Sequence, residues 1–240
     1  YLISFPEKVV YGHPVEVASR FKDGRQHYSY IRMLQKQKMQ LSNQLEKLLY
    51  QHFAEILVYC RNGLPGWLLR MLSRYPCAAL VAKAGPAKLS VIKGISKEKA
   101  EAILRKLPQV VQIISPQTQH VIIVTAKEIL HKEELINQEQ AYMVEMYGED
   151  ERVKLISTIK GIGVRSAVPI MLEIEDVTRF ATAKKLTAYF GVHPTFKQSG
   201  DGTCGSHMSK KGRREIRAIL YMAALTGIRC NPILKTLYAR

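Results

Sequence analysis

The residues best suited to chemistry lie between Phe190 and Arg217. Ser199 precedes Gly200 in a loop that also carries Lys197. A serine hydroxyl beside glycine, with positive charge near, is a group that can be presented to a phosphodiester. Alone the pair says little, because most Ser-Gly pairs in loops are turn residues. The basic run on its C-terminal side says more. Lys210, Lys211, Arg213, Arg214 and Arg217 put five cations within eight residues. Cations this close repel one another unless an anion sits among them, so a phosphate-contacting face is the simplest reading. Arg213 and Arg217 are spaced to share a helix face, and Arg214 and Arg217 are neighbours on it. Ser209 suits the cap of that helix, with Gly212 leaving its start open. A solvated basic face is the plainer alternative.

A second constellation is Lys160-Gly161-Ile162-Gly163, set between an apolar stretch from Leu155 and another running to Leu172. This pattern resembles a helix-hairpin-helix, a module that grips nucleic-acid backbone without reading sequence. Two glycines permit a tight turn and a close approach of backbone. Free N–H groups at the start of the second helix, helped by its dipole, can receive a phosphate. Lys160 and Arg165 flank the turn with charge, and Ile162 is expected to point inward and pin the helices. A purely structural helical hairpin would show the same pattern. Lys93-Gly94-Ile95-Ser96 carries half of it, and there the structural reading is the stronger.

These groups need elements to hold them. Residues 1–28 look irregular, punctuated by Pro6, Gly12, Pro14 and Gly24. From about Ser29 to Tyr59 apolar residues recur at threes and fours, as in a long helix. Short helices come next, broken at Gly63-Leu64-Pro65-Gly66, at Pro76 and at Gly85-Pro86, with Ser96 a good N-cap. Ser115-Pro116 signals a second long helix that ends at Gly148. From there the helices shorten and glycine turns multiply. The loop after Phe190 reads as too glycine-rich and polar for regular structure. The expected fold is mainly α: a long antiparallel helical stalk, then a small α-helical domain. The expected divisions are 1–28, 29–148 and 149–240.

Charge narrows the partner. Thirty-six Lys and Arg against twenty Asp and Glu leave +16 over 240 residues. Residues 151–240 hold sixteen of those cations and six of the acids, so the C-terminal third is the stronger candidate for a polyanion-binding face. No run of apolar residues is long enough for a membrane span. Cys60, Cys77, Cys204 and Cys230 form no C-x-x-C pair and read as reduced thiols in a cytoplasmic protein. No set of residues reads as a metal site. The chain begins with Tyr1, which suits a piece of a longer protein.

Taken in order, these motifs resemble a known family. Leu155 to Gly163, Arg179-Phe180, Lys185 to Pro194, Gln198-Ser199-Gly200, Ser209 to Gly212, Ile216-Arg217, Ala223-Ala224, Asn231-Pro232 and Tyr238-Ala239-Arg240 are similar to the C-terminal domain of DEDD-type insertion-sequence transposases. Relatives of that family include the Piv and MooV DNA invertases and the bridge-RNA-guided recombinases. Residues 29–147 fit its central coiled-coil segment in length and texture.

The resemblance implies a DNA transposase or recombinase of a bacterial or archaeal mobile element, acting at the nucleoid as a dimer or tetramer. In the guided members a structured RNA is a further partner. It also implies that Ser199 falls where the family's serine nucleophile sits. Its second part is a RuvC-like domain whose Asp-Glu-Asp-Asp set holds Mg2+. Residues 1–28 offer Asp23 and no Asp-x-x-Asp pair. Those ligands are therefore expected upstream of residue 1, and this chain alone is expected not to cut DNA. The alternative is a non-catalytic nucleic-acid-binding or scaffold protein.

Overall fold

The computed structural model describes residues 19–107, 114–197 and 205–239. Ser199, with the rest of 198–204, lies outside the described residues. The chain is mainly α-helical, with one two-stranded sheet among the described residues. None of the helices is long and apolar enough to cross a membrane among the described residues.

Two compact units form. One is Tyr30–Gln140; the other joins Tyr1–Ser29 to Ala141–Arg240. The two long helices, α1 (Ser19–His52) and α5 (Pro116–Tyr147), contribute to both. The Ser115 hydroxyl accepts from the Thr118 N–H at 3.2 Å, so the Ser-Pro start of α5 works as its sequence suggests. Helix α1 begins about ten residues earlier than the apolar periodicity implies. It runs through Gly24, which does not break it. A Cβ on Gly24 would lie 2.6 Å from Leu172 Cδ2 and 2.8 Å from the Tyr147 hydroxyl. This glycine serves close packing and makes no turn.

In the Tyr30–Gln140 unit, Lys38 pairs with Glu133 while Leu45, Leu49 and Phe53 share a core with Ile122, Ala126 and Ile129. α1 and α5 therefore run antiparallel there. Three short helices close the same core: α2 (Gly66–Leu72), α3 (Ala78–Ser90) and α4 (Lys97–Arg105). α3 is interrupted at Gly85, whose φ of 70° and ψ of 174° are not helical, as the Gly85-Pro86 stop predicts. Ser96 caps α4 by accepting from the Lys99 N–H.

In the other unit, α6 (Glu151–Ser157) and α7 (Val164–Ile174) flank the Gly161 turn, and α8 (Ala183–Phe190) comes after them. The segment after α8 differs from expectation. Its ends form an antiparallel hairpin, β1 (Pro194–Lys197) with β2 (Gly205–Met208), in the register Pro194↔Met208 to Lys197↔Gly205. Glycine and polar residues mask a strand signal when a two-stranded ribbon leaves faces open to water. Thr195 adds a side-chain contact across the pair, its Oγ1 lying 3.1 Å from His207 Nε2. α9 (Arg214–Cys230) and α10 (Pro232–Tyr238) end the unit. Ile170, Phe190 and Ile216 form a core there with Ile156, Ile162 and Leu186 around them.

Candidate nucleic-acid interface

The α6–α7 turn is fixed by two glycines with different work. Gly161 has φ +114°, a conformation L side chains rarely adopt. A Cβ there would lie 2.9 Å from the Ala223 carbonyl oxygen and 3.0 Å from the Gly227 backbone. The turn therefore packs backbone to backbone on α9, with Gly161 at the point of contact. Gly163 is the N-cap of α7 in extended conformation, and nothing lies within 4 Å of the position its Cβ would take. It leaves the helix start open. Ser166 and Ala167 donate back to the Gly163 carbonyl, while Lys160 and Arg165 are exposed and pair with no described residue. Ile162 is half-buried against the Ile170–Phe190–Ile216 core, as expected.

The far end of α7 is held by arginines. Arg25 donates to the Leu172 carbonyl at 3.2 Å and pairs with Glu175. Arg152 donates to the Glu175 carbonyl at 2.7 Å, and Arg179 reaches Glu175 Oε2 at 3.3 Å. Cations at a helix C-terminus satisfy carbonyls that have no helical partner and oppose the negative end of the dipole. Arg152 also holds Asp150, the N-cap of α6, through contacts of 2.9 and 2.7 Å. That hydrogen bonding keeps the Asp150 carboxyl below its ordinary range, while its partial burial works the other way. Several of the domain's cations are thus committed to its own frame.

The basic segment divides the same way. Arg213 pairs with Glu173 at 2.8 Å, and the Tyr189 hydroxyl donates to the same Glu173 oxygen at 2.6 Å. The Glu173 side chain is only 11% exposed, so this carboxylate needs those partners. Arg217 donates to the Phe190 carbonyl at 3.3 Å. Lys210, Lys211 and Arg214 are exposed and make no side-chain bond to a described residue. Helix α9 starts later than Ser209 suggests. Arg213 is its N-cap, and the Ser209 hydroxyl accepts from the Lys211 N–H at 3.4 Å in the approach to it.

Two glycines lock this approach to the end of α8. Gly191 (φ +67°) and Gly212 (φ +143°) face each other so closely that a Cβ on Gly191 would strike the Lys211 carbonyl. A Cβ on Gly212 would strike the Tyr189 carbonyl. Backbone bonds from Lys210 N to Gly191 O (3.1 Å) and from Ser209 N to His193 O (3.0 Å) complete the junction. The base of the β-hairpin and the backbone that carries the three free cations are thereby joined to the end of α8. Glu173 carries no role in the sequence reading, and Tyr189, Gly191 and Gly212 enter it only as members of the motifs or, for Gly212, as an uncertain helix start, not as parts of this junction. An acid inside so basic a domain was the available signal for Glu173.

Residues 153–239 match the family model described as transposase, IS116/IS110/IS902 family. Over this segment, about a third of the chain, the sequence is similar to the transposase domain that the model describes. The "Insertion element IS110 uncharacterized 43.6 kDa protein" of Streptomyces coelicolor is 31% identical over 86 residues, 36% of this chain and 21% of its own length. The "Insertion element IS116 uncharacterized 44.8 kDa protein" of Streptomyces clavuligerus is 22% identical over 165 residues, 66% of this chain and 41% of its own. The pilin gene-inverting protein of Moraxella bovis is 34% identical over 77 residues, 32% of this chain and 24% of its own. The chain thus spans less than half the length of these relatives. Among the described residues, no three His, Cys, Asp or Glu side chains group to hold a metal ion. Cys60, Cys77 and Cys230 are free thiols; Cys204 lies outside the described residues.

Proposed function

We propose that this chain is part of an insertion-sequence transposase or recombinase. Its C-terminal unit holds DNA by the sugar–phosphate backbone and presents Ser199 as the nucleophile. One observation carries the reading. The Gly191–Gly212 junction ties the backbone that carries Lys210, Lys211 and Arg214, all without partners among the described residues, to the end of α8 beside the hairpin whose strands 198–204 connect. The Gly161–Gly163 turn, with Lys160 and Arg165 exposed, offers a second backbone contact of the helix-hairpin-helix kind.

In this reading the Ser199 oxygen attacks phosphorus, and a Ser O–P bond replaces one P–O bond to deoxyribose. The serine proton ends on the released hydroxyl. The phosphoserine ester conserves the bond energy, so a hydroxyl from another strand can reverse the step and rejoin DNA. The surrounding cations stabilise charge on the phosphoryl oxygens. Mg2+ belongs, on this proposal, to a RuvC-like domain outside these 240 residues. A dimer or tetramer would bring two DNA sites together, with a structured guide RNA as a further partner, in the cytoplasm of the host cell.

The test uses the full transposase containing this chain, with Mg2+ and nicked suicide DNA. A covalent protein–DNA adduct is expected, mapping by peptide mass spectrometry to Ser199. Ser199→Ala should bind DNA as before and form no adduct. An adduct retained in that variant would remove Ser199 from the mechanism. Binding with no adduct in the parent protein would leave a non-catalytic nucleic-acid-binding protein.

A further inference from the structure

The turn between α3 and α4 repeats the one between α6 and α7. Ile92-Lys93-Gly94-Ile95-Ser96 stands against Ile159-Lys160-Gly161-Ile162-Gly163. Gly94 has φ +94°, where Gly161 has +114°. Ser96 sits at φ −80°, ψ 168°, and Gly163 at φ −86°, ψ 166°. Each turn is closed by the same bond, Ile95 N to Ile92 O at 3.0 Å and Ile162 N to Ile159 O at 2.9 Å. The two turns lie in different compact units, so the chain builds the same local geometry twice.

The setting of the first turn is strongly basic. Residues 54–107 carry ten Lys and Arg against three Glu. Some of these cations have structural work. Lys99 lies 3.9 Å over the Trp67 ring and donates to the Gly94 carbonyl at 3.2 Å. Arg70 donates to the Lys93 carbonyl at 3.1 and 3.2 Å. Lys106 sits over Tyr59, and Arg105 pairs with Glu101. A Cβ on Gly94 would lie 3.0 Å from Trp67 Cβ, so the turn is clamped on the indole. Six are left over: Arg61 and Arg74 ahead of α3, and Lys83, Lys88, Lys93 and Lys97 on α3, on the turn and at the start of α4. The four lysines are exposed and make no ion pair or side-chain hydrogen bond to a described residue. Four exposed lysines along α3, its turn and the start of α4, with Glu98 the nearest acid in sequence, leave an excess of positive charge that a polyanion would relieve. Ser96 already accepts from the Lys99 N–H, so the attraction rests on these lysines and not on the helix end.

We propose that the α3–α4 end of the Tyr30–Gln140 unit is a second nucleic-acid surface. It grips phosphodiester backbone through Lys83, Lys88, Lys93 and Lys97, separately from the C-terminal unit. The ligand chemistry is a run of phosphodiesters, supplied by duplex DNA or by folded RNA.

The experiment measures affinity of the whole chain for a DNA duplex and for a hairpin RNA across a salt series. Each lost phosphate contact lowers the slope of log K against log salt by about 0.7–0.9. Changing the four lysines together to Gln should lower it by about three for the probe that this surface binds, and changing them to Arg should preserve it. The probe that responds identifies the source. A Lys210→Ala, Lys211→Ala, Arg214→Ala protein should keep this contribution, which separates the surface from the C-terminal one. Should the fourfold Gln variant misfold, Lys88→Gln and Lys97→Gln alone should each remove about one contact. An unchanged slope for both probes overturns the proposal, as does complete loss of binding in the C-terminal triple variant.

Discussion

Gly161→Ala tests whether the α6–α7 turn, proposed above as a phosphate grip, is a packing device. The substitution places a methyl on a residue at φ +114°, and backbone strain of this kind costs on the order of 1–3 kcal/mol. The methyl also lands 2.9 Å from the Ala223 carbonyl and 3.0 Å from the Gly227 Cα and nitrogen. Neither neighbour is a flexible side chain, so α9 must shift, and overpacking typically costs about 1–3 kcal/mol more. A total of about 3 kcal/mol corresponds to a drop in Tm of about 6–12 °C for a chain of this size. Gly163→Ala meets nothing within 4 Å at φ −86°. Its cost is that of a poorer N-cap, about 1 kcal/mol at most. Thermal unfolding followed by far-UV circular dichroism separates the two. Equal shifts would refute the packing argument. So would a Gly161→Ala protein of parental stability that has lost DNA binding, since Gly161 would then be a contact and not a joint.

The division of the basic segment gives a paired prediction. Lys210→Ala, Lys211→Ala and Arg214→Ala together should lower the salt slope of DNA binding by about two to three and leave Tm within about 2 °C. Arg213→Ala should do the reverse, lowering Tm because Glu173 stays covered and loses its ion partner. A further prediction concerns pH. Hydrogen bonding to Arg152 depresses the folded-state pKa of Asp150, so its contribution is complete above the unfolded carboxylate range. It is lost as pH falls through the lower folded value. Tm measured from pH ~5 down to ~3 should fall more steeply in the parent than in Asp150→Asn, which keeps a capping side chain without the charge. Parallel curves would dismiss the Asp150–Arg152 contact as a source of acid sensitivity.

Periodicity and caps reveal the helical frame well because they are local. Ser96, Ser115-Pro116 and the Gly85 interruption each act within a turn of their own position, and each is visible in the chain. What escapes depends on residues far apart. Gly24 reads as a break, yet its role comes from Tyr147 and Leu172, distant partners in the chain. Arg213 reads as a free cation until Glu173 is beside it. The strands 194–197 and 205–208 escape because a ribbon with open faces needs no apolar alternation. Ile162 is the opposite case. Its inward direction follows from the tightness of the turn, and the packing against Ile170 agrees.

Charge in this domain shows the same contrast. Five clustered cations suggest five phosphate contacts, but two are engaged inside the protein, and the acid that engages one of them is itself almost wholly covered. That commitment shapes the surface. Glu173 ties α7 to Tyr189 of α8 and to the head of α9, and the facing glycines join the end of α8 to the approach to α9 by backbone. Lys210, Lys211 and Arg214 therefore project from a braced support. A basic tail would have to order its backbone as well as its side chains on binding, whereas here the backbone is already placed; on the proposed function that leaves more of the cations' attraction for phosphate. On the proposed mechanism, one hydroxyl must be aligned with one phosphorus, and such a support would serve it because the rate depends on holding the reacting atoms in position.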